Sequence, residues 1–477
     1  MYKKAEQLET ELENFELPFG GKLAADNRWV IMAKLIPWAE VEEEYAKKFT
    51  IEIGAPAKSS RMALGALIIK EKLGISDRET VEQIRENPYL QYFVGLKRYR
   101  NEAPFEASML VHFRQRLEID LVNKINIKIC EEGRGEVGTE KKSSRGSKEE
   151  SVNRGRLILD ATCAPADLRY PTDLGLLNQA RKQTEKIIDI LYYGLEEKPS
   201  KKPITQRIIA KKEYLKIAKK RRPSKKQRRK AIKKQLQYIN RNLGHIEQLQ
   251  TSGAKLEWLN DQQYKMLLVI DTVYQQQLSM YENKQQRIDD RIVSLTQPHI
   301  RPIVRGKAGT PVEFGAKLSV SYHNGYVFVD RLSWDNFNES GDLKSQAEDF
   351  KLATGNYPES IHVDQIYRTK ENRAWCKERE IRITGVPLGR QPKIIDKEKK
   401  KQAQNDEKFR SRIEGKFGEA KRRFSLGRVM TKLAKTSQTA IAITFLVMNL
   451  STLLRQFSAF FCTSLRINAF FVILEIR

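Results

Sequence analysis

Two acidic residues are placed where the local pattern predicts that their carboxylates meet. Asp160 ends a short apolar run at residues 156–159, and Asp364 ends a second run at 360–363. Both runs have the length and composition of buried strands. Side chains at the carboxyl ends of strands in an α/β sheet meet at the edge where ligands bind, so we expect the two aspartates to lie close together.

A third acid, Glu414, lies in a charged segment predicted to be a long helix. Arg410, Glu414 and Lys421 are separated by four and then seven residues, which puts them on one face of that helix. Carboxylate oxygens bind Mg²⁺, and two ions about 3.5–4 Å apart stabilise the attacking and leaving oxygens of a phosphodiester displacement. The three acids therefore predict a two-metal site, with Mg²⁺ as the expected ion and Mn²⁺ as its substitute.

Each of these residues also has a simpler structural interpretation. An aspartate at the end of a strand commonly caps a turn, and Glu414 with Arg410 is an ordinary i, i+4 ion pair. Glu419 is an alternative to Glu414 in the same segment. The five histidines and four widely separated cysteines show no metal-ligand spacing and no nucleophile context, so zinc modules and Ser–His–Asp or Cys–His catalysis do not compete.

The charge balance indicates a polyanionic partner. The chain has 87 Lys and Arg against 60 Asp and Glu, a net charge of +27, which favours nucleic acid through counterion release. Between residues 201 and 241 the one acid is Glu213. We expect phosphate contacts from this segment, with an inert solvated surface as the alternative. The candidate contacts are Lys219, Lys220, Arg221, Arg222, Lys225, Lys226, Arg228 and Arg229.

Changes in pattern divide the chain into segments of different character. Helical periodicity dominates residues 27–130 and 176–300, whereas after Pro302 two β-rich runs flank His323-Asn324-Gly325, a strong hairpin signal. Strands and helices then alternate, which predicts an α/β architecture. The predicted segments are 1–132, an N-terminal all-helical domain expected to bind DNA; 133–155, a linker; 156–175 and 301–435, the catalytic core; 176–300, a basic helical insertion; and 436–477, an apolar helix with an atypical tail.

The apolar stretch at residues 440–454 is the candidate for a membrane segment. It is shorter than the roughly 20 residues of a spanning helix and contains Asn449 and Ser451. The N-terminal residues carry acids where a signal peptide needs an apolar run. We therefore expect a core helix at 440–454, no membrane partner and, from the separated cysteines, a reducing cytoplasm.

Longer motifs add a family resemblance to these patterns. They are Phe105-x-x-Ser108-x-Leu110-x-x-Phe113-Arg114, Asp160-Ala-Thr162 with Arg169-Tyr-Pro-Thr-Asp173 and Leu176-Leu-Asn178, Glu313-Phe-Gly-Ala-Lys317, Asp364-x-x-Tyr367 with Asn372, and Arg410-x3-Glu414-x6-Lys421. With these motifs, residues 27–450 resemble a bacterial insertion-sequence transposase of the DDE type, in the IS-five group and its eleven-eighty-two-like branch. The last motif matches the family signature Tyr-x2-Arg-x3-Glu-x6-Lys and selects Glu414 over Glu419.

The resemblance implies a fold, an activity and roles for the site residues. The fold would be an RNase H-like mixed-sheet core, interrupted here by the long helical insertion. Asp160, Asp364 and Glu414 would hold the metals for DNA cleavage by water and strand transfer by a freed 3′-hydroxyl. Tyr367, Arg410 and Lys421 would support the site or contact DNA ends. The partner would be double-stranded DNA at element ends and target, bound by a homodimer or higher multimer in the cytoplasm of a bacterium, at the nucleoid.

The sequence departs from the family pattern at three places. Glu407 stands where the signature has Tyr, the helical block falls between the first strand and the hairpin, and residues 456–477 match no family motif. These departures leave two other hypotheses open. One is a transposition-defective or domesticated DNA-binding protein, and the other is an RNase H-like metal-dependent nuclease without strand transfer.

Overall fold

The chain folds into two compact units. The computed structural model describes residues 15–17, 20–49, 56–137, 153–304, 312–385 and 397–475, and their side chains except those of 133–137 and 458–475. The larger unit contains Met1–Pro165, Lys317–Ser333 and Phe337–Arg477, and the helical unit contains Ala166–Ala316 and Trp334–Asn336. Most of the predicted linker lies outside the described residues, and the predicted domain boundaries stay a prediction.

The N-terminal part of the larger unit is helical, as its periodicity predicts. Gly74 ends α3 with a left-handed φ of 68°, and the Ser76 hydroxyl accepts the Glu79 N–H at the start of α4. Ser108 precedes α6, but its side chain makes no capping bond. The helices are α1 (Arg28–Lys34), α2 (Trp38–Ala46), α3 (Ser60–Leu73), α4 (Asp77–Glu86), α5 (Pro88–Phe93), α6 (Met109–Leu117) and α7 (Ile119–Val137).

The arginine that the sequence places beside the apolar face of α6 has a structural role. Arg114 is 4% exposed, and its guanidinium donates to both carboxylate oxygens of Asp77, at 3.1 and 2.5 Å. A buried arginine paired in this way fixes α6 against α4 and is not available to a phosphate. DNA binding by the N-terminal domain therefore gains no support from Arg114.

A mixed sheet forms the centre of the larger unit. Its strands are β1 (Arg156–Pro165), β3 (Val312–His323), β4 (Tyr326–Ser333), β5 (Ser360–His362) and β6 (Arg382–Ile383), in the order β4-β3-β1-β5-β6. β3 and β4 are antiparallel, whereas β5 is parallel to both β1 and β6. Asn324 and Gly325, both with positive φ, make the tight turn between β3 and β4. The predicted α/β class and the predicted hairpin are confirmed.

One face of this sheet packs on helices α12 (Leu343–Thr354) and α13 (Lys370–Glu378). Leu157 and Leu159 of β1 are fully buried in a core that contains residues of both helices, including Phe350 and Cys376. Side chains alternate along a strand, so Asp160 faces the other side of the sheet. The backbone of β1 thus separates the hydrophobic core from the candidate acid.

The opposite side of the sheet carries α14 (Lys397–Arg423), and the chain then continues into α15 (Ala434–Glu475). Within α15, the stretch Ala434–Phe457 is long and apolar enough to span a membrane, but 78% of its most apolar 18-residue window is buried inside the protein. It packs against α3, α6, α7 and β4. Asn449 is fully buried and bonds both the N–H and the C=O of Val327. The stretch therefore packs as a core helix.

The helical unit is built around one long helix, Lys225–Thr251, which contacts the other three. Ser224 and Gln227 form a capping box at the start of α10, directly after Pro223. Leu236, Ile239, Ile246 and Leu249 recur at helical spacing and are buried. The helices are α8 (Asp173–Gly194), α9 (Arg207–Ala218), α10 (Lys225–Thr251) and α11 (Asp261–Glu282), and β2 (Arg301–Val304) pairs antiparallel with Val312–Gly315, the first residues of β3.

Candidate active site

Asp160 and Asp364 occupy equivalent positions on neighbouring parallel strands. The last pair in the register of β1 with β5 is Ile158 with His362, and each aspartate follows two residues later. Neighbouring strands lie about 4.8 Å apart, so this register brings the two acids to the same point of the sheet. The predicted strand end at Asp160 is wrong, because β1 continues to Pro165 through buried Thr162 and Cys163.

Asp364 also performs the local role that its simpler interpretation predicts. It lies just beyond β5, as the N-cap of a short 3₁₀ turn at Gln365–Tyr367, and its Oδ1 accepts the Gln365 N–H at 2.6 Å. The corresponding bond at Asp160 runs from the Ala161 N–H to Oδ1, at 2.7 Å. In both aspartates one oxygen is held by the adjacent backbone, which fixes the direction of the carboxylate.

Helix α14 is fixed to the sheet by contacts about one to two turns before Glu414. Asp406 accepts two hydrogen bonds from Arg382 of β6, at 2.6 and 3.0 Å. The Phe409 ring lies 4.8 Å from the His362 ring and 5.3 Å from the Arg156 guanidinium. His362 is fully buried, and burial lowers its pKa to about 4, so it packs as a neutral ring. These contacts were not predicted, since they join residues far apart in sequence.

Arg410 lies between the first and third acids. Its guanidinium is 3.0 Å from a Glu414 oxygen and 4.0 Å from a carboxylate oxygen of Asp160. It also donates a hydrogen bond at 2.7 Å to Glu407, the residue that stands where the family signature has a tyrosine. The arginine side chain is 17% exposed. The ordinary i, i+4 pair with Glu414 is therefore present, and the same guanidinium reaches Asp160.

The three carboxylates influence one another electrostatically. Burial, together with the negative charges of Asp364 and Glu414, raises the pKa of Asp160 to about 6, although the Ala161 N–H and the Arg410 charge act in the opposite direction. A carboxylate in such surroundings is disfavoured in its charged form unless a cation is close. The arrangement is therefore short of positive charge.

Two of the predicted supporting residues lie in different environments. Tyr367 is fully buried in the core beneath the sheet, and burial raises the pKa of its hydroxyl. A side chain in this position can support Asp160 and Asp364 but cannot contact DNA.

Lys421 is half-buried on α14, seven residues beyond Glu414. Glu419, the alternative third acid, instead pairs with Lys416 at 3.7 Å and with Arg455 at 3.3 Å.

Asp160, Asp364 and Glu414 have the oxygen ligands that a divalent metal ion prefers, but their side chains are not arranged around a common point. Carboxylate oxygens are the ligands that Mg²⁺ prefers, and burial, which raises the pKa of Asp160, is a cost to the charged carboxylate that a bound cation would offset. Within the described residues, however, no three His, Cys, Asp or Glu side chains lie close enough together to hold a metal. Glu414 would have to exchange its contact with Arg410 for a contact with the ion.

The candidate cations of the predicted basic segment are exposed. All eight candidate cations, from Lys219 to Arg229, are exposed, and in the described part of the chain none of them pairs with a carboxylate. The one nearby acid, Glu213, binds Lys234 and the Tyr238 hydroxyl instead. Four of the cations lie in the first two turns of α10, where the helix dipole disfavours positive charge. Their position is therefore unfavourable for the isolated helix.

Two regions of the chain match known protein families. Residues 361–451 match the family described as transposase DDE domain, and residues 18–116 match the family described as transposase domain (DUF772). A curated protein of Rhizobium meliloti, the uncharacterized protein ORF8 in the nfe locus, is 32% identical over 151 residues, which cover 32% of this chain and 68% of that protein. No solved structure matches the chain.

The two domain matches indicate a DNA-cleaving transposase, and the mixed α/β fold is consistent with them. The chain contains a transposase DDE domain and a second transposase domain, and it belongs to the same family as the Rhizobium meliloti protein. Asp364 and Glu414 lie within the matched DDE region, whereas Asp160 lies outside both matched regions. The assignment of Asp160 rests on its register with Asp364 and on its contact with Arg410.

Proposed function

We propose that this transposase binds the terminal inverted repeats of a mobile element and that Asp160, Asp364 and Glu414 carry its cleavage and strand transfer. The observation that carries the proposal is the register of β1 and β5, which places two aspartates at one point of the sheet. Helix α14 adds the third acid through Arg410. The branch suggested by the motifs, within the IS-five group, belongs to the same proposal, as does a cytoplasmic location at the nucleoid.

The proposed catalytic core is RNase H-like and interrupted by the helical insertion. A sheet that combines the antiparallel hairpin β3–β4 with the parallel strands β1, β5 and β6 supports a mixed-sheet core. The helices α8–α11 follow β1 and precede β3 along the chain, and we propose that they are the insertion, in a position that departs from the family pattern.

The residues of the site have distinct proposed roles. Asp160 and Asp364, each held by a backbone N–H, would present fixed oxygens to two Mg²⁺ ions, and Glu414 would join them from α14. The ions, when bound, would supply positive charge that stabilises the attacking and leaving oxygens of the phosphodiester. Arg410 would then be released to bind a phosphate at the DNA end, with Lys421 on the same helix. Tyr367 would support the two aspartates from the core.

Binding along the DNA backbone is proposed for the basic segment. Its exposed cations have no carboxylate partner in the described residues, and four of them lie at the unfavourable end of a helix. Phosphates would offset both features, since they provide negative charge at a helix N-terminus. A homodimer or higher multimer on DNA would bring two element ends together, and that assembly is part of the proposal.

Strand transfer with the element's own ends, a target duplex and Mg²⁺ tests this function. Asp160→Asn, Asp364→Asn and Glu414→Gln should each abolish cleavage while leaving DNA binding largely intact. Glu419→Gln is the matched control on α14, and it should keep wild-type activity because Glu419 pairs with Lys416 and Arg455 instead. Wild-type strand transfer by any of the three acid variants would remove that residue from the site.

The same assay separates the two alternative functions. Cleavage of element ends without joining would identify a metal-dependent nuclease. Binding of the inverted repeats without cleavage, in Mg²⁺ and in Mn²⁺, would identify a transposition-defective or domesticated DNA-binding protein. Joined products that depend on all three acids would exclude both.

A further inference from the structure

A cavity in the larger unit is lined by acids, amides and aromatic rings, and by none of the proposed catalytic residues. Its volume is about 420 Å³, within the range of roughly 300–1,000 Å³ that is common for small-ligand sites. The carboxylates of Glu131, Asp330 and Asp349 line it, and no lysine or arginine is among the described residues of its wall. An acidic cavity is unexpected in a chain with a net charge of +27.

Asp330 is the best-defined acid of the cavity. Its carboxylate accepts hydrogen bonds from Ser321 Oγ at 2.9 Å and from Gln346 Nε2 at 2.6 Å. The side chain is accessible from the cavity, yet the surrounding protein desolvates it and raises its pKa to about 7. Within the described residues Asp330 has no cationic partner. Its surroundings therefore lack a positive charge.

Gln346 shows independently that a hydrogen-bond donor is missing. The residue is 2% exposed, and its amide nitrogen donates to Asp330 and, at 3.2 Å, to Ser319 Oγ. Its Oε1 atom is buried and has no hydrogen-bond partner in the described part of the chain. Turning the amide over would place Oε1 against the Asp330 carboxylate, so the carboxylate fixes this orientation. A buried acceptor without a donor is uncommon in folded proteins, and a ligand in the cavity that Gln346 lines would supply one.

Aromatic rings complete the wall and restrict the kind of cation. Phe328 and Phe350 line the cavity, and the buried His323 stacks on Phe328 at 4.8 Å and meets Phe350 edge-on at 5.1 Å. Aromatic faces attract organic cations, which also bring N–H donors for acceptors such as Gln346 Oε1. A bare metal ion would bring no donor.

We propose that this cavity binds an organic cation, an alkylammonium or guanidinium group, with Asp330, Asp349 and Gln346 Oε1 as its acceptors. Two sources supply this chemistry, a free polyamine and a lysine or arginine side chain of a second copy of the chain. Ile127 and Leu352, also in the wall, are 44% and 84% exposed and would contact the aliphatic part of either ligand. The site goes beyond the proposed transposase chemistry and does not depend on it.

Calorimetric titration of the full chain, without DNA, tests the site with two probes. Spermidine represents the free polyamine, and arginine amide represents a side chain. We expect one bound equivalent, and Asp349→Asn or Asp330→Asn should weaken binding at least about tenfold because each removes a charged acceptor. Glu132→Gln is the matched control, since it removes the same charge beside Glu131 but does not line the cavity. Gln346→Met should weaken binding without any change in charge.

Sedimentation velocity of the same variants separates the two sources. Spermidine binding that is lost in the cavity variants and kept in Glu132→Gln, in a wild-type protein that does not self-associate, supports a free polyamine. Self-association of the wild type that is weakened by the cavity variants and by arginine amide supports the side chain of a second copy. Asp349 is exposed, so Asp349→Asn keeps the test valid if Asp330→Asn fails to fold by circular dichroism. If neither probe binds and self-association is unchanged, or if Glu132→Gln has the same effect, the proposal is wrong.

Discussion

Asp160→Asn tests the electrostatics of the candidate site without any DNA. The side chain is 21% exposed, and burial together with the charges of Asp364 and Glu414 raises its pKa from 3.8 to about 6. At pH 8 the ionised carboxylate therefore opposes folding by about 3 kcal/mol, at about 1.4 kcal/mol for each factor of ten in proton affinity. Asparagine keeps a similar shape and an oxygen that can accept the Ala161 N–H. We expect the variant to be more stable than the wild type by up to that amount.

The effect has a defined pH window. Below about pH 3.8 both states carry a protonated Asp160, so the substitution changes nothing through charge. Between about 3.8 and 6 the unfolded chain loses its proton while the folded chain keeps it, so wild-type stability falls as pH rises. Above pH 6 the difference is constant. At pH 5 the gain in Asp160→Asn should be roughly half of its value at pH 8.

Urea unfolding of both proteins at pH 5 and pH 8, in EDTA, measures the two differences. Mg²⁺ should then stabilise the wild type at pH 8 and stabilise Asp160→Asn much less, since a bound cation offsets the repulsion. Asp406→Asn is the control of opposite sign, because it removes an acid paired with Arg382 and should lower stability. A loss of stability in Asp160→Asn at pH 8, or a gain that is equal at both pH values, would refute the electrostatic reasoning.

Three further predictions concern DNA binding and the N-terminal helices. Neutralising Lys225, Lys226, Arg228 and Arg229 together should reduce the slope of log affinity against log salt by about 3–4, and an unchanged slope would reject phosphate contact there. Glu407→Gln should steepen that slope for element ends by about one, because it frees the Arg410 charge; a slope equal to that of the wild type would mean that Arg410 does not reach phosphate. Arg114→Met should lower the unfolding free energy by about 3 kcal/mol, measured by urea, since it leaves Asp77 without its main partner.

Local signals in the sequence predicted local structure well. Asn324-Gly325 identified the hairpin because few other residue pairs adopt positive φ at both positions of a two-residue turn. The start of α10 is equally local, because the Ser224 hydroxyl accepts a free N–H of the first turn. These features depend on neighbours within a few residues, and the sequence contains all of that information.

The misplaced features depend on contacts between distant segments. The sequence indicated that β1 ends at Asp160, but the strand continues because buried residues beyond Asp160 have a neighbouring strand to pair with. The burial of Tyr367 follows from the helices packed beneath the sheet, which a motif cannot show. The anchoring of α14 by Asp406 and Arg382 likewise joins residues 24 positions apart. A family motif gives the residue types and their spacing, but it does not show which distant residue each of them contacts.

The contacts of Arg410 show why identifying the acids is not the same as defining the site. The motif gave the spacing of Arg410 and Glu414, and helix geometry alone brings them together. The sequence could not show that the same guanidinium reaches Asp160 on another element, or that Glu407 holds it from the other side. In this arrangement the Arg410 guanidinium offsets part of the electrostatic repulsion between Asp160 and Glu414. Bound divalent ions would offset the same repulsion. In the proposed site, metal and Arg410 would compete for Glu414, and a phosphate that drew Arg410 away would favour metal binding by the acids.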